Sequence, residues 1–206
     1  MDTKQHWEKV YSDKSADAVS WFQPHAIRSL KLIQSLVVDK AAHIIDVGGG
    51  ASTLVDDLLE QGYSNLSVLD LSAAALQVAK NRLGNAAAKI HWLEGDVTQL
   101  SLPENSIDLW HDRAVFHFLT TEEERRRYVG TVLKSVRPGG YVLVATFAED
   151  GPEKCSGLPV QRYSASGLHT EFGSAFELLG NETEQHQTPF GKSQSFVYCY
   201  CRRREA

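Results

Sequence analysis

From His43 onward, short apolar runs alternate with stretches in which apolar residues recur every three to four positions. A short apolar run bounded by turn formers marks a buried strand, and the longer period marks a helix with one face on a core. His43–Val47 reads as a first strand, and residues 52–61 as a helix with Gly62 just past its end. Residues 66–70 predict a second strand, after which Ser72 caps a helix from Ala73 that Gly84 stops. Residues 89–93 and 107–112 predict strands three and four. Thr120 and Thr121 each precede a glutamate by three positions, so overlapping capping boxes start a helix that runs to about Val136 and ends at Pro138-Gly139-Gly140. Residues 141–147 predict the fifth strand.

Repeated strand and helix units of this length build a parallel sheet covered on both faces, through right-handed crossovers. The end of the chain departs from that pattern. A helix near 166–172 precedes strands at 176–179 and 194–202, and their connection is too short and too rich in Gly, Pro, Asn and Gln for a crossover helix. The expected fold is therefore an α/β sheet of seven strands, mostly parallel, with an antiparallel last strand. Residues 1–37 hold Trp7 and Trp21 and read as a structured lid or helical flank, with 26–37 as its helical part. Residues 38–206 then form the core of a single domain spanning 1–206. Residues 149–166 are the longest irregular stretch and lie past a strand's C-terminal end, where open α/β sheets bind ligands.

Composition removes several classes of function. With 206 residues the chain can bury roughly 70% of its unfolded surface without disulfides. Its 21 basic and 26 acidic residues give a net charge of −5, which offers no electrostatic reason for binding nucleic acid or anionic lipid. No apolar run approaches the ~18 residues of a membrane helix, and the polar residues 1–10 are unlike a secretory signal, so a cytoplasmic address is expected. Three cysteines, Cys155, Cys199 and Cys201, are too few and wrongly spaced for a zinc module, and their odd number argues against a disulfide framework. Reduced thiols and no metal are expected. Cys199 and Cys201 share one face of the last strand and read as core.

The strongest local signal is Ile44-Ile45-Asp46-Val47-Gly48-Gly49-Gly50-Ala51-Ser52, a glycine turn between a strand and a helix. Glycines let backbone approach a ligand without a Cβ clash, and the helix start supplies free N–H donors. The structural alternative is a tight turn that needs positive φ. A dinucleotide fingerprint would want a third glycine where Thr53 stands. Asp70, 20 residues past Gly50, suits a ribose diol for either class of ligand, while Asp46 and a second acid, Asp96, after strand three favour S-adenosylmethionine.

With Asp70, Glu94-Gly95-Asp96-Val97 and the terminal hairpin added, the chain resembles the class I S-adenosylmethionine-dependent methyltransferases over about residues 40–203. That resemblance implies a three-layer, Rossmann-like fold and an enzyme with S-adenosyl-L-methionine as cofactor and S-adenosyl-L-homocysteine as product. It implies that Gly48 and Gly50 meet the methionine part, Asp70 and Leu71 the ribose and adenine, and Asp96 and Val97 the adenine. Gly49 departs from a family position that often carries another residue, without harm to the turn. Trp7-x3-Tyr11 followed by Trp21-Phe22 resembles the aromatic segment of the elongation-factor lysine methyltransferases, in which such rings help enclose the cofactor. A sulfonium is a compact cation, and aromatic faces stabilise cations by roughly 0.5 to 2 kcal/mol. The same rings would also serve simply to pack an N-terminal helix on the sheet.

Methyl transfer from a sulfonium is an in-line displacement, so alignment supplies most of the catalysis and a base is needed only for acceptors that arrive protonated. The segment Trp110-His111-Asp112-Arg113-Ala114-Val115-Phe116-His117-Phe118 lacks an Asn/Asp-Pro-Pro-aromatic signature; Asp112-Arg113-Ala114, with Tyr128 beyond, is loosely similar to the thiopurine and thiol methyltransferases. His111 and His117 are the candidates for a base or substrate contact, because imidazole titrates near working pH. Asp112 and Arg113 would equally form a salt bridge shaping the cleft, and the resemblance to the elongation-factor group implies that Arg113 touches the cofactor through its backbone. His43 and His91 read as satisfied sheet residues, and Cys155 as packing or as a contact to a soft substrate. Three readings of function stand: transfer to a small soft nucleophile such as a thiol or metalloid, transfer to a protein lysine, and cofactor binding without turnover. A small-molecule acceptor or a protein substrate is the expected partner.

Overall fold

The computed structural model describes residues 3–13 and 15–205. Helices α1 (Thr3–Asp13) and α2 (Ile27–Leu36) precede strand β1 (His43–Val47). Then come α3 (Leu54–Glu60), β2 (Asn65–Asp70), α4 (Ala73–Leu83), β3 (Ile90–Glu94), β4 (Ile107–Arg113), α5 (Glu122–Ser135) and β5 (Val136–Phe147). The two-residue strands β6 (Lys154–Cys155) and β7 (Leu158–Pro159), helix α6 (Ala165–Phe172) and strands β8 (Phe176–Gln187) and β9 (Ser193–Arg203) complete the chain. The main sheet has seven strands in the order β3-β2-β1-β4-β5-β9-β8. Its β1, β2, β3, β4 and β5 pair in parallel, and β9 is antiparallel to both neighbours. This is the three-layer, Rossmann-like arrangement expected for the class.

Strand alternation sends consecutive apolar residues to opposite faces. Ile44, Leu66, Val68, Leu109 and Leu143 join Ile33 of α2 and Leu54 and Leu58 of α3 in one core. Ile45, Val47, Trp110, Val142 and Val144 join Tyr128 and Val132 of α5 and Leu168 and Phe172 of α6 in the other. Each such side chain contributes about 1.5–3 kcal/mol on burial, so two-sided cover is what makes unbroken apolar strands stable in the middle of the sheet. The Thr121–Glu124 capping box starts α5, and Ser72 caps α4 through the Ala75 amide.

Four segments differ from the sequence reading. Strand β5 begins at Val136: Ile107 pairs with Val136 and Leu109 with Tyr141, so residues 137–140 interrupt the register of one strand instead of separating a helix from it. Strand β8 runs to Gln187, well past residue 179. It is the sheet's edge, so its outward positions take Asn181, Thr183 and Gln185 without loss of pairing, and polar residues there hide a strand from an apolar-pattern reading. Residues 3–13 form a helix whose apolar side is mostly aromatic, and the irregular stretch 149–166 contains the β6–β7 hairpin. No helix among the described residues is long and apolar enough to cross a membrane.

Candidate functional site

Parallel strands β1, β2, β3 and β4 all end on one side of the sheet, and there their loops enclose a cavity of about 200 Å³. Trp7, Tyr11, Trp21, Gly48, Asp70, Leu71, Asp96, Val97, Arg113, Phe118 and Cys155 lie on its wall. A smaller cavity of about 50 Å³ opens on the other flank of the glycine turn, lined by Asp46, Gly48, Ser29 and His111. Tyr11, Trp21, Gly48 and Arg113 belong to both, so the two form neighbouring compartments divided by aromatic rings and one guanidinium.

The turn is built by close approach. Gly48 has φ +71°, and a Cβ on it would lie 2.0 Å from Val115 Cγ2 in the loop after β4. The Gly50 amide donates to Asp70 Oδ2 at 3.0 Å, and the Ser72 amide donates to Asp70 Oδ1 at 2.8 Å. Burial nevertheless outweighs these two bonds and pushes the Asp70 carboxyl up to about 6. Gly50 therefore lies beneath Asp70 and off both cavity walls. Asp96 is held by its own turn: Oδ1 accepts from the Thr98 amide at 2.8 Å and Oδ2 from Gln99 Nε2 at 2.7 Å.

Helix α1 lies across the mouth, fixed to three separate rims. Glu8 accepts hydrogen bonds from the Ala73 and Ala74 amides at 2.7 and 3.2 Å, placing a carboxylate at the positive start of α4. Lys4 pairs with Glu94 at the end of β3 at 2.6 Å, and His6 meets Ser156 in the β6–β7 turn at 3.3 Å. Beneath, Trp7 packs edge-on to Trp21 and Phe118 at 5.6 and 5.2 Å between ring centres. Trp21 stands edge-on to Tyr11 at 6.3 Å between ring centres, and burial together with the Asp70 charge raises Tyr11 above the ordinary phenol range.

Arg113 ties the far wall together. It donates to Tyr198 Oη at 3.0 Å and to the Trp21 carbonyl at 3.3 Å, pairs with Glu184 at 3.4 Å, and stands 4.2 Å over the Phe196 ring. The expected Asp112–Arg113 salt bridge does not form, because neighbouring residues of a strand face opposite sides. Asp112 instead accepts the Val115 amide at 2.9 Å and the Tyr128 hydroxyl at 2.6 Å, and so shapes the loop that carries Val115 and Phe118.

Neither histidine candidate reaches the larger cavity. His111 is buried, with Nδ1 2.6 Å from Asp46 Oδ1 and Nε2 2.9 Å from Ser29 Oγ. His117 is on neither wall; it packs between Phe118 and Phe147, and burial lowers it to about 3, so it stays neutral. Burial likewise raises the Cys155 thiol to about 12. His43 is satisfied by Ser106 and Ser67, as a sheet residue should be. The sequence reading omitted Glu8 and Phe118. The first lies in a helix without strong apolar periodicity, and the second carries no motif beyond its place after strand four.

The geometry agrees with what the chain resembles. A family profile described as "Methyltransferase domain" matches residues 44–140. The chain is 24% identical to EEF1A lysine methyltransferase 2 of Danio rerio over 160 residues, covering 71% of this chain and 69% of that protein. It is also 24% identical to an uncharacterised methyltransferase of Geobacillus kaustophilus over 208 residues, covering 96% and 94%. Among solved structures, one described as "Conversion of a Disulfide Bond into a Thioacetal Group during Echinomycin Biosynthesis" superposes with a TM-score of 0.78 at 17% identity, covering 98% of this chain and 93% of that one.

Proposed function

The chain is a class I S-adenosylmethionine-dependent methyltransferase, and from that premise we propose that it methylates a small, soft nucleophile, such as a thiol or metalloid, by in-line displacement. The observation that carries this reading is chemical: among the described residues, no imidazole lines the larger cavity. Its other titratable groups are engaged. Asp70 and Asp96 accept hydrogen bonds from their own turns, Glu124 closes a helix cap with Thr121, Arg113 pairs with Glu184, and the Tyr11 and Cys155 groups are held protonated by burial. A lysine ammonium would find no free base here, whereas a thiol that ionises near neutral pH needs none.

The chain's residues fit the cofactor. Bound, that cofactor supplies a methyl group on a positively charged sulfur. In this reading Asp70 accepts the ribose hydroxyls, with Leu71 beside it, and Asp96 and Val97 flank the adenine. Gly48 keeps the wall open, and Gly50 supports Asp70 from below. Trp7, Tyr11 and Trp21 turn ring faces and edges toward the compartment where the sulfonium charge would be stabilised. Arg113 borders the cofactor by its backbone and holds the Trp21 carbonyl with its side chain. Asp46, whose Oδ2 is buried without a partner among the described residues, answers a cationic amino group at the methionine end. His111 and His117 take no part as bases.

The second reading, protein lysine methylation, draws on the similarity to the Danio rerio enzyme and on the aromatic segment near the N-terminus. S-adenosylhomocysteine release measured over thiols, selenols, halides, amines and a protein extract decides between the two. Turnover with thiols or other soft acceptors supports the proposal. Radiolabel from the cofactor confined to a protein band replaces it with the lysine reading, and cofactor affinity without turnover on any acceptor leaves a binding protein.

A further inference from the structure

Asp46 and His111 stand side by side in register on β1 and β4, and their side chains meet on the face covered by α2. A carboxylate oxygen 2.6 Å from Nδ1 fixes the tautomer: the proton is on Nδ1 and is donated to Asp46 Oδ1. His111 Nε2 is then free to accept the Ser29 hydroxyl at 2.9 Å, and the neighbouring Tyr198 accepts from Arg113 and donates to Glu184. Asp46, His111, Ser29 and Tyr198 are all buried. These bonds use one oxygen of Asp46 and leave the other, Oδ2, buried and without a partner among the described residues. Oδ2 rests on the glycine turn, where a Cβ on Gly49 would lie 2.2 Å away.

A buried carboxylate oxygen without a donor is costly, so its persistence points to a ligand that supplies one. We propose that His111, braced by Ser29, is a positioning residue that aims Asp46 Oδ2 at the ammonium of the cofactor's amino-acid end. The inference rests on the reading that the smaller cavity takes the methionine half of the cofactor. It explains why a histidine one residue away from the cleft-shaping Asp112 is buried and fully bonded, and why α2 carries a buried serine opposite the sheet. The resemblance of Ser29, His111 and Asp46 to a hydrolytic triad is one of order only, because the serine is buried on α2 behind His111.

The test compares two ligands by calorimetry on the full chain: S-adenosylhomocysteine and 5′-methylthioadenosine, which lacks the amino-acid end. The parent is expected to bind the first more tightly. Asn places its amide nitrogen near the position of Nδ1 and Gln near that of Nε2, so H111N keeps the donor to Asp46 and H111Q loses it. H111Q is expected to weaken S-adenosylhomocysteine about tenfold or more, as loss of orientation at a charged hydrogen bond implies, and to leave methylthioadenosine within about twofold. H111N is expected to retain most of the preference, and S29A to lose part of it. Methylthioadenosine binding reports that each variant is folded. Parallel weakening of both ligands, or an unchanged preference in H111Q, overturns the positioning role while leaving the cofactor site intact. A parent that binds S-adenosylhomocysteine no better than methylthioadenosine overturns the placement of the methionine half, and the inference with it.

Discussion

The Gly50 amide and the Asp70 carboxylate meet at 3.0 Å, so the glycine turn after β1 and the acid ending β2 are one unit. A Cβ on Gly50 would lie 2.7 Å from Asp70 Oδ2 and 2.6 Å from the Ala75 Cβ. Gly50→Ala therefore has to move the acid or the start of α4. The expected result is a loss of about 1–3 kcal/mol in stability, the usual cost of overpacking, with weaker S-adenosylhomocysteine binding. Thermal unfolding with and without that ligand measures both.

Asp70 also sets a pH dependence. Its carboxyl titrates at about 6 when folded, above the ordinary 3.8, so the folded state holds a proton that the unfolded chain has released. Its contribution to stability is therefore fully present below about pH 4 and is lost as pH rises through about 6. Ligand affinity runs the other way, because the ionised form is the better acceptor for a ribose diol. S-adenosylhomocysteine binding should tighten between about pH 5 and pH 7, and Asp70→Asn should flatten that rise and weaken binding about tenfold at neutral pH. Titration calorimetry across that range checks the sign.

Glu8 anchors α1 to the first turn of α4. Removing its carboxylate in Glu8→Ala should cost about 1 kcal/mol, the worth of a helix N-terminal cap with its dipole term. If α1 closes over the ligand, S-adenosylhomocysteine should also leave faster. Tryptophan fluorescence in a stopped-flow experiment reads this directly, since Trp7 and Trp21 line the cavity. An unchanged release rate would make α1 a static wall.

Tyr128→Phe deletes one hydroxyl that donates to Asp112 at 2.6 Å and accepts from Trp110 Nε1 at 2.8 Å. Two buried polar groups then lose a partner at once, which should cost about 1–3 kcal/mol in chemical denaturation. Because Asp112 shapes the loop bearing Val115 and Phe118, the variant should also lower turnover more than it weakens cofactor binding.

His117→Phe separates the histidine readings. The ring is neutral, buried and off both cavity walls, so replacement by an apolar ring of similar size should leave kcat/KM within about threefold. A loss of about a hundredfold, with a change in the pH profile, would restore it as a base.

The glycine turn and the acids Asp46, Asp70 and Asp96 were legible in position because each stands in or directly after the C-terminal end of a strand that the apolar pattern marks. The edge strand β8 was not. One side of it meets water, and residues such as Asn181, Thr183 and Gln185 satisfy that environment without an apolar pattern. Helix α1 escaped for a related reason: its Trp7 and Tyr11 pack on rings from elsewhere in the chain, Trp21 and Phe118, and so its own period is weak.

The sequence by itself determined the succession of strands and helices from β1 to β5, the antiparallel close of the sheet and the place of the glycine turn and Asp70 at one end of the first two strands. These follow from local periodicity, caps and turns, which act over a few residues. Tertiary structure alone decided that His111 is bound between Asp46 and Ser29, that Asp112 turns from Arg113 to Tyr128, and that Glu8 holds α1 across the cleft. Those partners lie 16 to 82 positions apart. Their meeting depends on strand register and on which face of the sheet each side chain takes, and both are fixed only when the whole sheet packs.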